Sequence, residues 1–291
     1  MDGRKNTHQL KIGITSNVIC DRFGVDGYRH IGEAGFQCVD FNMQRGFFKV
    51  EALKYRDKMT ETVEKHYRAI KACGLKVSQT HAPYYFRESH ITNTADLKKY
   101  VDAVIQAIEL TSYLKARYIV MHPLYIMPWM PDAGIGNNEE LTKKVLEKIL
   151  PFAEKRDVVI ALENLPYEFC NDLQSHQKFM NIVPSDYISA CFDSGHAFIT
   201  EKEDASLHLK AMLNEIKVVH LHDNNGMKDM HEGIRAEDGK WLEIFKIIRE
   251  SDQIDCVSLE TSGIYKTCQS HGLPEALKRD YETVRCFLNF N

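Results

Sequence analysis

The chain has 291 residues, 44% of them hydrophobic and 27% charged, with a formal net charge of -4. That composition supports a substantial core, and the absence of any lysine or arginine block argues against a nucleic-acid or membrane surface, which leaves a small molecule as the expected partner. Met1 to Gln9 is polar and no apolar run approaches membrane length, so the expected location is the cytoplasm. Cys20, Cys38, Cys73, Cys170, Cys191, Cys256, Cys268 and Cys286 include no CxxC pair and read as reduced thiols.

Along the chain a short apolar run alternates with a longer amphipathic one. The expected strands are Lys11–Thr15, Phe36–Phe41, Lys76–Thr80, Tyr118–His122, Val158–Glu163, Ile188–Asp193, Lys217–His222 and Asp255–Thr261. Between them the 3.6-residue period is clearest over Val50–Cys73, Thr94–Leu114, Asn138–Lys155 and Leu273–Leu288, with Gly74 as a stop signal and Asn93-Thr94 as a start. Eight alternations with no linker favour one α/β domain over residues 1–291, a (β/α)8 barrel, over an open doubly wound sheet.

Active groups on such barrels gather at the C-terminal strand ends. Here the third to eighth strands end in His81, His122, Glu163, Asp193, His222 and Glu260. Carboxylates and imidazoles crowded at one mouth repel or lack partners unless a cation lies among them. Glu163, Asp193, His222 and Glu260 are the expected metal ligands. The donor set suits Mn²⁺, Mg²⁺ or Co²⁺, with further imidazoles shifting the preference to Zn²⁺. His220 faces the same way as His222 one rung deeper, because side chains on a strand alternate, and competes with it as the ligand. His81, His122, His196, Asp229 and His231 form an outer group for additional metal or substrate binding. Tyr84 and Trp129 are the expected apolar wall of the substrate site. His8, His30, His66, His90, His176, His208 and His271 fall away from the strand ends and read as solvated or locally bonded.

The ordered set Thr80-His81-Ala82-Pro83-Tyr84, Met121-His122-Pro123, Ala161-Leu162-Glu163-Asn164, Cys191-Phe192-Asp193-Ser194-Gly195-His196, His220-Leu221-His222-Asp223-Asn224, Asp229-Met230-His231 and Ser258-Leu259-Glu260-Thr261 resembles the xylose isomerase-like TIM barrel superfamily over nearly the whole chain. That superfamily holds both sugar isomerases and epimerases and the AP endonucleases of the endonuclease IV type. In the sugar branch the resemblance implies one divalent metal on Glu163, Asp193, His222 and Glu260. Glu163 and Glu260 would then move protons on opposite faces of a small sugar, sugar phosphate or related hydroxy-carbonyl compound through a metal-stabilised enediolate.

In the endonuclease branch it implies three zinc ions on positions matching His81, His122, Glu163, Asp193, His196, a strand-seven histidine, Asp229, His231 and Glu260, acting on abasic DNA. The Asp223-Asn224-Asn225-Gly226 run is closer to the sugar branch, and Glu232–Gly239 departs from the Gly-Glu-Gly turn common to both. The sequence therefore favours the isomerase or epimerase and disfavours nucleic acid; a homo-oligomer is compatible with it.

Overall fold

Eight short strands, each followed by helix, close into one parallel barrel in sequence order. The computed structural model describes residues 10–43, 56–83, 94–124, 137–166, 170–235 and 238–289. The strands are β1 Lys11–Thr15, β2 Cys38–Asn42, β3 Lys76–His81, β4 Tyr118–Met121, β5 Val159–Glu163, β6 Ile188–Asp193, β7 Ile216–Leu221 and β8 Cys256–Leu259. β1 pairs with both β2 and β8, with Ile12 opposite Val257 and Ile14 opposite Leu259 across the closure. The expected closed barrel is thus the observed one.

The two faces of each strand have different fates. Ile12, Ile14, Val39, Ile119, Met121, Ile160, Leu162, Phe192, Val219, Leu221, Val257 and Leu259 join the helices in one large apolar cluster. The alternate residues Val120, Ala161, Cys191 and Val218 form a separate small cluster inside the barrel, with Tyr118 packed against it. Period-two alternation then carries the inward face of the same strands to Glu163, Asp193 and His220 one step further along. The apolar plug floors the barrel and the ionisable residues sit on it.

The helices follow their sequence signals. Asn138–Arg156 opens with a capping box, in which Asn137 accepts from the Glu140 amide and Glu140 accepts from the Asn137 amide. It ends on Asp157 at φ 56°, a left-handed terminus. Of the expected helix Val50–Cys73, Arg56–Ala72 is observed and residues 50–55 lie outside the described set. Among the described residues no helix is long and apolar enough to cross a membrane. All eight cysteines are free.

Two histidines depart from expectation. His176 and His208, read as solvated or locally bonded, are both buried. His176 Nε2 donates to the Leu162 carbonyl at 2.9 Å, its Nδ1 lies 3.0 Å from His208 Nε2, and His208 Nδ1 lies 2.6 Å from Glu201 Oε2. Periodicity places these residues on helices, but it does not say which helical faces turn toward the barrel. His8 and His90 lie outside the described residues.

Candidate functional site

The groups expected at the mouth come together there, in three overlapping sets. His81 and His122 converge on one oxygen of Glu163, with Nε2 to Oε2 distances of 3.2 and 3.0 Å. Glu163, Asp193, His220 and Glu260 form the central set, with every ligand atom within 4.8 Å of the others. His220 Nδ1 lies 3.1 Å from Glu163 Oε1, 3.7 Å from Glu260 Oε1 and 3.9 Å from Asp193 Oδ2. The outer set comprises Asp193, His196 and His222, and then His222, Asp229 and His231.

Sequence placed His222 with Glu163, Asp193 and Glu260; the structure puts His220 in that position. β7 ends at Leu221, so His220 is its last inward residue and His222 already belongs to the loop. His222 turns instead toward Asp193, with Nε2 3.0 Å from Oδ1, and toward Asp229, 3.7 Å from Oδ1. Tyr84 and Trp129, the expected substrate wall, lie outside the described residues.

Three of the mouth imidazoles share one device. His81 Nδ1 donates to the Ala82 carbonyl at 3.0 Å, His196 Nδ1 to the Asn164 carbonyl at 2.8 Å and His231 Nδ1 to the Glu260 carbonyl at 2.9 Å. Each ring then presents Nε2 inward. His220 is turned the other way round: its Nε2 faces Asp40 Oδ2 at 3.3 Å and the Gln79 amide at 2.6 Å, leaving Nδ1 for the centre. In the first three rings, donation from Nδ1 to a carbonyl sets the tautomer and aims the Nε2 lone pair, as metal-ligating histidines require; at His220 the acceptor on the scaffold side is Asp40.

Those lone pairs point at carboxylate lone pairs, an arrangement that needs either extra protons or cations. With protons alone, burial opposes charge on His81, His196, His220 and His231, but the surrounding carboxylates prevail and raise all four, His196 to about 10 and His231 to about 9. At His122 burial dominates and the pKa falls. Burial would raise the carboxylates, yet His220 and His122 hold Glu163 well below its usual range. His196 and His222 lower Asp193, and His196 and His231 lower Asp229. Asp193 Oδ2 and His222 Nε2 remain buried without a hydrogen-bond partner among the described residues. Such atoms are costly unless something binds them, so the donor set fits divalent cations. Its six imidazoles lean toward zinc, and its shared carboxylates suit more than one ion.

The scaffold holds these groups from outside. Asn164 clamps β5 to β6, donating to the Asp193 carbonyl at 3.0 Å and accepting from the Asp193 amide at 2.7 Å. Asp193 Oδ1 then accepts from the His196 amide at 2.8 Å and caps the helix Ser194–Thr200, which fixes His196 one turn on. The segment carrying Asp229 and His231 is closed by paired backbone bonds between Asp223 and Glu232 at 2.9 and 2.8 Å. It is anchored where buried Asp223 accepts from Arg235 at 3.0 Å and Lys240 at 2.7 Å. Arg235 is thereby committed to an internal carboxylate.

Asp40, Asn164 and Asp223 escaped the sequence reading. A signal existed for Asp40, an acid inside the apolar strand Cys-Val-Asp-Phe-Asn; none identified the clamp or the anchor.

The family described as a xylose isomerase-like TIM barrel matches residues 29–282. The chain belongs to that family. Among its relatives is a "Probable endonuclease 4" of Staphylococcus epidermidis, 31% identical over 188 residues, which cover 59% of this chain and 62% of the relative. A protein of the same description from Mycoplasmopsis agalactiae is 26% identical over 198 residues, covering 65% and 66%. The chain thus matches roughly three fifths to two thirds of these relatives' length. Among solved structures, a D-tagatose 3-epimerase-like protein superposes with a TM-score of 0.72 at 22% identity, covering 95% of this chain and 98% of the other. An L-ribulose 3-epimerase gives 0.69 at 17%, covering 96% and 95%. At such identities the likeness is one of fold. Members of the family with these descriptions are enzymes, and the fold is common to both branches.

Proposed function

We propose that the chain is a multi-metal phosphodiester hydrolase of the endonuclease 4 kind, acting on abasic sites in DNA. The observation that carries this reading is the convergence of the outer group: His81 and His122 on Glu163, and His196 and His231 on Asp229. A single-metal enzyme uses only the central set, whereas a cluster needs all of them. When bound, divalent cations such as zinc would offset phosphate charge and lower the pKa of water toward neutrality. Positions for them would be held by His81, His122 and Glu163; by Glu163, Asp193, His220 and Glu260; and by Asp229 with His196 and His231.

The chain's own residues account for the rest. Glu163 offers one oxygen to the first set and the other to the second, so one buried side chain fixes their spacing. Asp40 and the main-chain carbonyls keep the imidazoles aimed, and the barrel's burial of Glu163, Asp193 and His220 excludes bulk water from their inner sides. The free thiols are consistent with a reducing, cytoplasmic setting.

The second reading, the isomerase or epimerase of a small sugar or sugar phosphate, rests on Glu163 at the end of β5 and Glu260 just past β8 approaching the same His220 nitrogen, at 3.1 and 3.7 Å. Those two carboxylates would give and take the proton beside a carbonyl.

One experiment separates them. Full-length protein supplied with Zn²⁺ or Mn²⁺ is given duplex DNA carrying one tetrahydrofuran abasic analogue, and in parallel a panel of ketoses in D₂O. Strand scission at the analogue, lost on chelation, is expected. No scission together with deuterium entry into a ketose would reverse the order of the two readings.

A further inference from the structure

We propose that His222 is a ligand of the outer metal position, and that Gly195 is the residue that admits its ring; this rests on the multi-metal reading above. The backbone of His222 is pinned on both sides by one hydroxyl. Ser194 Oγ accepts from the His222 amide and donates to the His222 carbonyl, each at 3.1 Å. That double bond sets the direction of the side chain, and the ring has only one place to go.

The place is directly over Gly195. A Cβ at position 195 would lie 1.9 Å from His222 Cε1 and 2.3 Å from Nδ1, far inside contact distance. Any other residue there would expel the ring. In its slot the ring stacks on His231 at 4.2 Å between centroids and 18° between planes, and meets the His196 ring at 5.6 Å.

The free atom of this buried ring faces the outer carboxylates. Asp229 divides its oxygens: Oδ2 faces His196 at 3.5 Å and His231 at 3.1 Å, while Oδ1 faces His222 Nε2 at 3.7 Å. Although Asp193 Oδ1 is 3.0 Å away, Nε2 makes no hydrogen bond among the described residues. A fully buried imidazole with an unpartnered inward nitrogen, between two carboxylates and beside two further imidazoles, is placed as a ligand. His222 is also the member common to both outer groupings, so it joins Asp193 and His196 to Asp229 and His231. Protein atoms then fill more of the outer coordination sphere than the other three side chains could, which favours retention of that ion.

The test measures zinc stoichiometry and stepwise affinity, by elemental analysis and chelator competition, for the full chain and for His222→Asn and Gly195→Ala. Wild type is expected to hold about three ions. In His222→Asn the weakest should weaken by at least about tenfold while the other two are unchanged. Gly195→Ala should reproduce that loss with the imidazole still present. Where it fails to fold, His222→Asn, which adds no bulk, decides alone. Stoichiometric Co²⁺ should give a visible spectrum in which only the outer ion's bands differ between wild type and His222→Asn. Three ions in both proteins, with equal affinities and identical cobalt spectra, would overturn the proposal and leave the multi-metal reading standing. About one ion per wild-type chain would overturn both.

Discussion

His176 and His208 are buried as deeply as the histidines of the barrel mouth, and only the carbonyl of Leu162 separates their network from Glu163. There every ring nitrogen has a partner: carbonyl, imidazole, imidazole and carboxylate follow in line at 2.9, 3.0 and 2.6 Å. At the mouth the same residue type leaves one nitrogen of each ring aimed at carboxylates that are themselves acceptors, and two buried atoms have no hydrogen-bond partner among the described residues. Burial is common to the two regions; the difference is that the mouth rings pair with carboxylates only if each carries a second proton or yields to a cation, and two mouth atoms have no hydrogen-bond partner among the described residues even then. A closed network stabilises a fold, whereas an open one of this chemistry is built for something it binds.

The largest effect should follow Glu163→Gln, since Glu163 belongs to two sets: metal content should fall from about three ions toward one, and activity by more than the ~100-fold that loss of an outlying support costs. Metal content equal to wild type would remove Glu163 from its role. Chelation should come next. Ions bound only by the folded chain stabilise it by about 4 kcal/mol at a thousandfold excess over their dissociation constant. Stripping them should lower the melting temperature accordingly, and an unchanged melt would mean the mouth binds nothing.

At the closed network the lever is pH. Burial, helped by neighbouring His208, lowers His176 to about 3, so the folded state refuses a proton that the unfolded chain accepts near 6.5. Its contribution is therefore whole above about pH 6.5 and is lost as pH falls toward 3, at up to about 1.4 kcal/mol per unit. Denaturant melts of wild type and His176→Gln across that range should differ in slope by about one proton; parallel curves would contradict the closed reading.

Smaller still is Asp40→Asn, which keeps the shape beside His220 but removes the charge favouring a proton on Nε2. Metal affinity at the central set should fall about tenfold, with little change in folding. Equal affinity would show that Gln79 alone orients the ring.

The barrel was legible because period-two and period-3.6 patterns survive in any chain whose strands and helices each bury one face, and all eight strands lie within a few residues of their expected bounds. The mouth residues were legible because strand ends are addresses on this fold. What was not legible depended on one residue of register or on tertiary contact. His220 and His222 share a face in sequence, and only where β7 stops decides which belongs to the central set. Asn164, Asp223 and His176 act through partners 12 to 32 residues away, and no local pattern encodes those distances.

The most direct test of the contrast is the metal content of the purified full-length chain after exhaustive dialysis, measured by elemental analysis against protein concentration. About three zinc-class ions per chain are expected if the open groups at the mouth are occupied as three positions. One ion or none, under conditions where the protein is folded, would contradict that account and return the chain to the single-metal sugar reading or to no metal at all.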